Sequence, residues 1–131
     1  MIRFAAIIII QFFLTFSASA QNNNAVSFCG KTGNITMTWD EFTACKKEII
    51  STDIKVQVGS FILFVPKNEK KDSTMIEFQI KGNLFNKQAK ETIEKLHKDK
   101  KLGKKLVIEA VEVLESGKPA RKVTGLTITL N

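Results

Sequence analysis

Residues 75–114 limit what this chain can fold into, because their apolar pattern changes period twice. Ile76, Phe78 and Ile80 alternate with Glu77, Gln79 and Lys81, the period-two signature of a strand with one face buried. Gly82-Asn83 stops that run. Over residues 87–98, Ala89, Ile93 and Leu96 recur at helical spacing behind Asn86, a capping residue, so one narrow apolar stripe crosses an otherwise charged helix. After Leu102-Gly103, residues 106–114 return to a strand pattern: Leu106, Ile108 and Ala110 alternate with Val107, Val111 and Val113, and only Glu109 and Glu112 interrupt. This reads as a central strand packed on both sides for part of its length. A helix apolar on one stripe has to lie on a surface, so it is expected as a structural crossover on a small β domain.

The first 20 residues are set apart from that domain. Arg3 precedes an apolar run over residues 4–16, and Ala18-Ser19-Ala20 is a small-x-small cleavage site, the organisation of a secretory signal peptide. An apolar run of about 13 residues is shorter than the roughly 20 a membrane-crossing helix needs, so no stable membrane span is expected. Removing Arg3 from the 20 basic residues leaves 19 against 13 acids, a mature charge of +6 that favours acidic partners. An exported protein of this kind is expected in the periplasm or outside the cell. The two cysteines, Cys29 and Cys45, then meet an oxidising compartment and have one intramolecular pairing open to them. Closing that loop would stabilise the fold by about 3 kcal/mol in the chain-entropy picture.

Along the rest of the chain, residues 21–34 read as a flexible N-terminal segment, with a short strand at 25–29, and residues 35–131 as one domain. Thr38-Trp39-Asp40-Glu41 is a capping box, which predicts a helix from Trp39 to about Lys47 with Phe42 and Cys45 on one face. In residues 54–66 the alternation of Ile54, Val56 and Val58 shifts phase at Gly59-Ser60, and Phe61, Leu63 and Val65 continue it, so a bulge is expected there. Ile62 and Phe64 predict that the other face is largely covered as well. Residues 74–81 return as the second strand of a hairpin. Residues 121–130 close the chain as one strand antiparallel to 106–114, with a second phase change at Gly125. The fold class is mainly β (α+β): a small antiparallel, sandwich-like domain with one short N-terminal helix and one basic crossover helix.

The order and spacing of these motifs resemble the GldM (PorM) C-terminal domain family of the type IX secretion and gliding machinery in Bacteroidetes. The matching residues are Thr38 to Glu41, Val58-Gly59-Ser60-Phe61, Gly82-Asn83, Leu102-Gly103-Lys104, Ile108-Glu109-Ala110-Val111, Ser116-Gly117 and Arg121-Lys122-Val123. The resemblance implies a periplasmic β-rich domain, one surface of which contacts other envelope proteins. Full members carry a transmembrane helix, a coiled bundle and further β domains, so only the fold and the contact role are transferred to this chain.

The residues name no reaction centre. One histidine, His97, lacks a second to orient it, and two cysteines without CxxC spacing make a poor metal site, so neither an enzyme nor a cofactor is expected. The sharpest surface feature is residues 87–105, with eight lysines against Glu91, Glu94 and Asp99. Lys90, Lys98, Lys100, Lys101, Lys104 and Lys105 read as a binding surface for an anionic glycan or lipid head group, or as a solvated face neutralised by pairs such as Glu91 with Lys95 and Glu94 with Lys98. Nucleic acid is disfavoured, since arginine and interleaved aromatics are missing from the run. His97 is expected at the surface and Trp39 packed at the domain edge. Asn34-Ile35-Thr36 matches a glycosylation sequon and reads as chance in a bacterial chain. The expected function is a non-enzymatic module binding an envelope or secreted protein, with polyanion binding as the alternative.

Overall fold

The computed structural model describes residues 25–68 and 73–131. In order the elements are β1 (Val26–Phe28), β2 (Lys31–Thr32), β3 (Asn34–Met37), α1 (Trp39–Ala44), β4 (Ile49–Ser51), β5 (Val56–Asn68), β6 (Ser73–Lys81), α2 (Lys87–Lys98), β7 (Lys105–Glu115), β8 (Arg121–Val123) and β9 (Leu126–Leu130). The segment read as a signal peptide lies outside the described residues, and no described helix is long and apolar enough to cross a membrane.

Period-two alternation builds a six-stranded sheet in the order β3-β9-β7-β5-β6, with β8 also paired to β7. Its inner face carries Ile35 and Met37, then Leu126, Ile128 and Leu130, then Leu106, Ile108, Val111 and Val113, and on β5 Val56, Val58, Phe61, Leu63 and Val65, all buried. A smaller sheet, β2-β1-β4, shares this core. Phe85 links the two sheets, stacked on Phe28 at 5.5 Å and tilted against Phe61 at 5.9 Å. The α+β, sandwich-like architecture expected from the patterning is present.

Strand β5 pairs antiparallel with β6 on one side and β7 on the other, so β6 and β7 run parallel and α2 is the crossover between them. Asn86 caps α2 by accepting from the Ala89 N–H at 2.8 Å, and Ala89, Ile93 and Leu96 are buried, as their spacing predicts. Burying Ile93 and Leu96 contributes about 1.5–3 kcal/mol each. The helix stops without glycine. The Lys101 N–H donates to the Leu96 carbonyl at 2.8 Å and the Lys100 N–H to the His97 carbonyl at 3.1 Å, a Schellman pattern with Lys100 in the left-handed position at φ 57°.

In the N-terminal third, Cys29 and Gly30 (φ 53° and 75°) form the two-residue turn between β1 and β2, whose left-handed torsions match hairpin twist. The expected Cys29–Cys45 disulfide is present, with the Cα atoms 5.8 Å apart. Thr38 caps α1 as the motif predicts: its hydroxyl accepts from the Glu41 N–H at 3.1 Å, and its own N–H donates to the Glu41 carboxylate at 3.2 Å.

The structure corrects several sequence expectations. The folded domain begins earlier than residue 35, because Val26 and Phe28 are 0% exposed and residues 25–34 supply β1, β2 and the start of β3. Helix α1 ends at Ala44, and Cys45 is already extended (φ −90°, ψ 158°), which lets its side chain reach the β1–β2 turn. Ile54 is 97% exposed: the Asp53 side chain accepts from the Lys55 N–H and draws the chain into a turn, so β5 starts at Val56. The closing strand is divided into β8 and β9. Strand β3 pairs parallel with β9, an arrangement the antiparallel reading did not include.

The expected bulge at Gly59 is real, since the β5–β7 register slips between Val58 and Ser60. A compensating slip follows between Ser60 and Ile62, where β7 carries the extra residue and Ala110 has φ 51°. On the far side of β7 the same level is occupied by the break at Thr124-Gly125 between β8 and β9. Burial changes phase in β5, β7 and the β8–β9 strand at this common level, so one crease runs across the sheet.

Candidate interaction surfaces

Residues that face away from the core define the surfaces on which this domain could act. On the outer face of the sheet, cross-strand register sets Glu77 beside Phe64, Phe64 beside Val107, Val107 beside Thr127 and Thr127 beside Asn34. Ile62 lies between Gln79 and Glu109 in the neighbouring row. On this face Ile62, Phe64 and Val107 are half-buried, and Met75 and Leu114 are 46% and 45% exposed. The second faces of β5 and β7, expected to be largely covered, are half-buried at Ile62, Phe64 and Val107 and exposed at Leu114. Two shallow depressions flank the crease there. One of about 410 Å³ is lined by Ser60, Ile62, Gln79, Ala110 and Glu112, and one of about 290 Å³ by Asn34, Val107, Glu109, Gly125 and Thr127.

The lysines divide into two places. Lys98, Lys100, Lys101, Lys104 and Lys105 are exposed on one continuous segment from the end of α2 into β7. The Asn68 N–H donates to the Lys101 carbonyl at 2.7 Å and the Gly103 N–H to the Pro66 carbonyl at 2.9 Å, which anchors the segment to the far end of β5. Lys90 lies about 12 Å back along the helix axis at 1.5 Å per residue, beside a crevice formed with Trp39, Phe42, Lys47 and Glu94. The expected neutralising pairs do not form: among the described residues α2 has one ion pair, Lys87–Glu91 at 3.9 Å, and Glu91–Lys95 and Glu94–Lys98 are not within 4.0 Å.

Trp39 and His97 are brought together. Trp39, half-buried at the start of α1, stacks on His97 in the last turn of α2, with centroids 3.7 Å apart and planes at 9°, and also touches Phe42 at 5.5 Å. The edge packing expected of Trp39 and the surface position expected of His97 both hold, and the stack ties the two helices together. Lys47 closes α1 by donating to the Thr43 and Cys45 carbonyls at 3.2 and 3.3 Å while its ammonium lies 5.0 Å from the Phe42 ring centre. Burial pushes that ammonium below its ordinary pKa, with Lys90 adding to the effect and Glu94 opposing it. Among the described residues no group of three or more His, Cys, Asp or Glu side chains could hold a metal ion.

Comparison of the chain with protein-family models, with curated proteins and with solved structures returned no match. The comparisons therefore lend no support to the expected resemblance to the GldM family. Sequence reasoning located the lysines but did not single out the half-buried outer face of the sheet. The signal that could have shown it is the set of polar residues that share register rows with Ile62 and Phe64, namely Glu77, Gln79, Glu109 and Thr127.

Proposed function

We propose that this protein is an exported, non-enzymatic interaction domain that docks an envelope or secreted protein on the outer face of its six-stranded sheet. The observation that carries the reading is that face itself. One-sided antiparallel sheets turn polar residues to solvent, yet here the half-buried Ile62, Phe64 and Val107 occupy the middle of the outer face, with the exposed Met75 and Leu114 further along the same face. A contiguous apolar patch with a polar rim is what a protein-binding surface requires. The Cys29–Cys45 disulfide supports the compartment, since such bonds persist where thiols are not kept reduced. The GldM-like motif order supports a contact role in the envelope. Photo-crosslinking in the exporting cell tests the reading. A benzophenone side chain at Phe64 or Val107 is expected to give one discrete adduct that Ile62→Lys abolishes, with none from Gln88 on α2. Equal adducts from all three positions, or none from Phe64 and Val107, would refute it.

A second reading is favoured by the unpaired lysines. Lys98, Lys100, Lys101, Lys104 and Lys105 form a basic segment suited to anionic glycan or lipid head groups, and charge is what would hold them. Salt-sensitive retention on heparin should fall sharply when Lys98, Lys100 and Lys101 are changed to Gln; unchanged retention would reject it.

A further inference from the structure

The two ends of the main sheet are protected unequally. At one end β3 is four residues long. At the other, β6 is nine residues long, pairs with β5 through nine consecutive positions without a slip, contains no proline, and has no other strand partner among the described residues. Edge strands are ordinarily blunted by shortness, proline, bulges, inward charges or charged side chains, and of these β6 has only Glu77 and Lys81, of opposite sign. Which of its backbone groups point outward follows from one hydrogen bond. The Gly82 N–H donates to the Gly59 carbonyl at 2.7 Å, so that position is a hydrogen-bonded pair, and the antiparallel alternation then turns the N–H and C=O groups of Met75, Glu77, Gln79 and Lys81 away from β5. Ile76 and Phe78 are half-buried at the same edge on the inner side.

We propose that β6 pairs with β6 of a second copy of this chain, antiparallel across a two-fold axis at Phe78, joining two six-stranded sheets into one. The occupant follows from self-complementarity. Between Thr74 and Lys81 the strand carries one acid, Glu77, and one base, Lys81. Centring the pairing on Glu77 would oppose like charges, which is destabilising. Centring it on Gln79 would oppose Glu77 to Lys81 but set Ile76 against Gly82 and leave it uncovered; centring it on Phe78 sets Phe78 against its copy in a non-hydrogen-bonded pair, Ile76 against Ile80, Met75 against Lys81 and Glu77 against Gln79, with Lys81 and Glu77 of the other chain both only diagonal to Glu77. The outward-turned residues then form four hydrogen-bonded pairs, about eight backbone hydrogen bonds, and the half-buried Ile76 and Phe78 are covered.

Sedimentation velocity on the purified, disulfide-bonded protein tests this. The expected result is a mass that rises from one chain to two with concentration. Gln79→Pro deletes an outward N–H that β5 does not use, a substitution edge strands tolerate, and should leave a folded monomer by circular dichroism. Glu77→Lys should weaken association several-fold, and adding Lys81→Glu should restore it. Phe78→Cys should crosslink the two chains on mild oxidation, because opposed Cα atoms in such a pair lie about 4.5 Å apart, within disulfide reach. A protein that is monomeric at every concentration, a dimer indifferent to Gln79→Pro, or a monomer that instead captures a foreign extended peptide along Met75–Lys81 would overturn the proposal.

Discussion

Gly125→Ala is expected to be among the most damaging single-methyl additions in this protein. A Cβ at that position would overlap the backbone carbonyl of Ile108, and the Ile108 carbonyl carbon would lie 2.7 Å away, well inside the 3.4 Å at which ordinary contact begins. A side chain in that place could rotate aside, but a strand backbone cannot. Relief requires β9 to lift from β7 near the Ile108–Leu126 and Val107–Thr127 pairs. Overpacking costs about 1–3 kcal/mol, and losing two ladder hydrogen bonds adds about 1 kcal/mol each, so the sum is about 3–5 kcal/mol. Domains of this size have about 5–15 kcal/mol in total. With a urea slope of about 1–3 kcal/mol per molar, the midpoint should fall by about 2 M. Urea unfolding followed by circular dichroism, with the disulfide intact, measures this. Gly117→Ala is the control: at φ 79° with no atom within 4 Å of its added Cβ, it should cost about 1 kcal/mol from left-handed torsion alone. A Gly125→Ala midpoint indistinguishable from that of Gly117→Ala would refute the close-approach argument.

Lys100→Gly should raise stability by about 0.5–1 kcal/mol in the same assay, by relieving the left-handed torsion at the end of α2. Replacing both Cys29 and Cys45 by Ser should cost about 3 kcal/mol, read as a lowered Tm that reductant reproduces in the parent protein. Acid should destabilise the domain through two carboxylates. The Thr38 backbone hydrogen bond, then the Lys31 charge, holds Glu41 below the ordinary value of 4.5, and the Lys118 hydrogen bond, then the Lys118 and Arg121 charges, does the same for Glu115. Because the folded values are depressed, this stability is present above about pH 4.5 and is lost as pH falls below it. Thermal melts across that window should show a shallower acid loss in Glu41→Gln/Glu115→Gln than in the parent protein.

Local signals were legible where a residue type has one physical use. Asn86 and the Ala89, Ile93, Leu96 stripe define α2, Thr38 with Glu41 defines the start of α1, and the Gly59 phase change marks the bulge. Features set by distant partners were not. Strand β3 offers two apolar residues in four, and its parallel pairing with β9 depends on where the end of the chain returns. Ala110 and Lys100 hold left-handed torsions that glycine would have signalled. Ile62 and Phe64 have the pattern of covered residues and are half-buried rather than buried, because the core with both helices and the small sheet packs on the opposite face. The lysines were legible as a cluster, whereas their lack of helical ion pairs depends on side-chain placement.

The parallel pairing of β3 with β9 also bears on when the fold can form. Asn34–Met37 wait for Thr127–Leu130, at opposite ends of the described chain, and among the described residues β9 is the strand that joins β3 to β7. Contacts of such sequence separation are slow to close, and these cannot close until Thr127–Leu130 have been made. Until then the hairpin and crossover have no completed sheet to join. The topology therefore postpones the finished sheet until β9 is available, whatever is already folded before it.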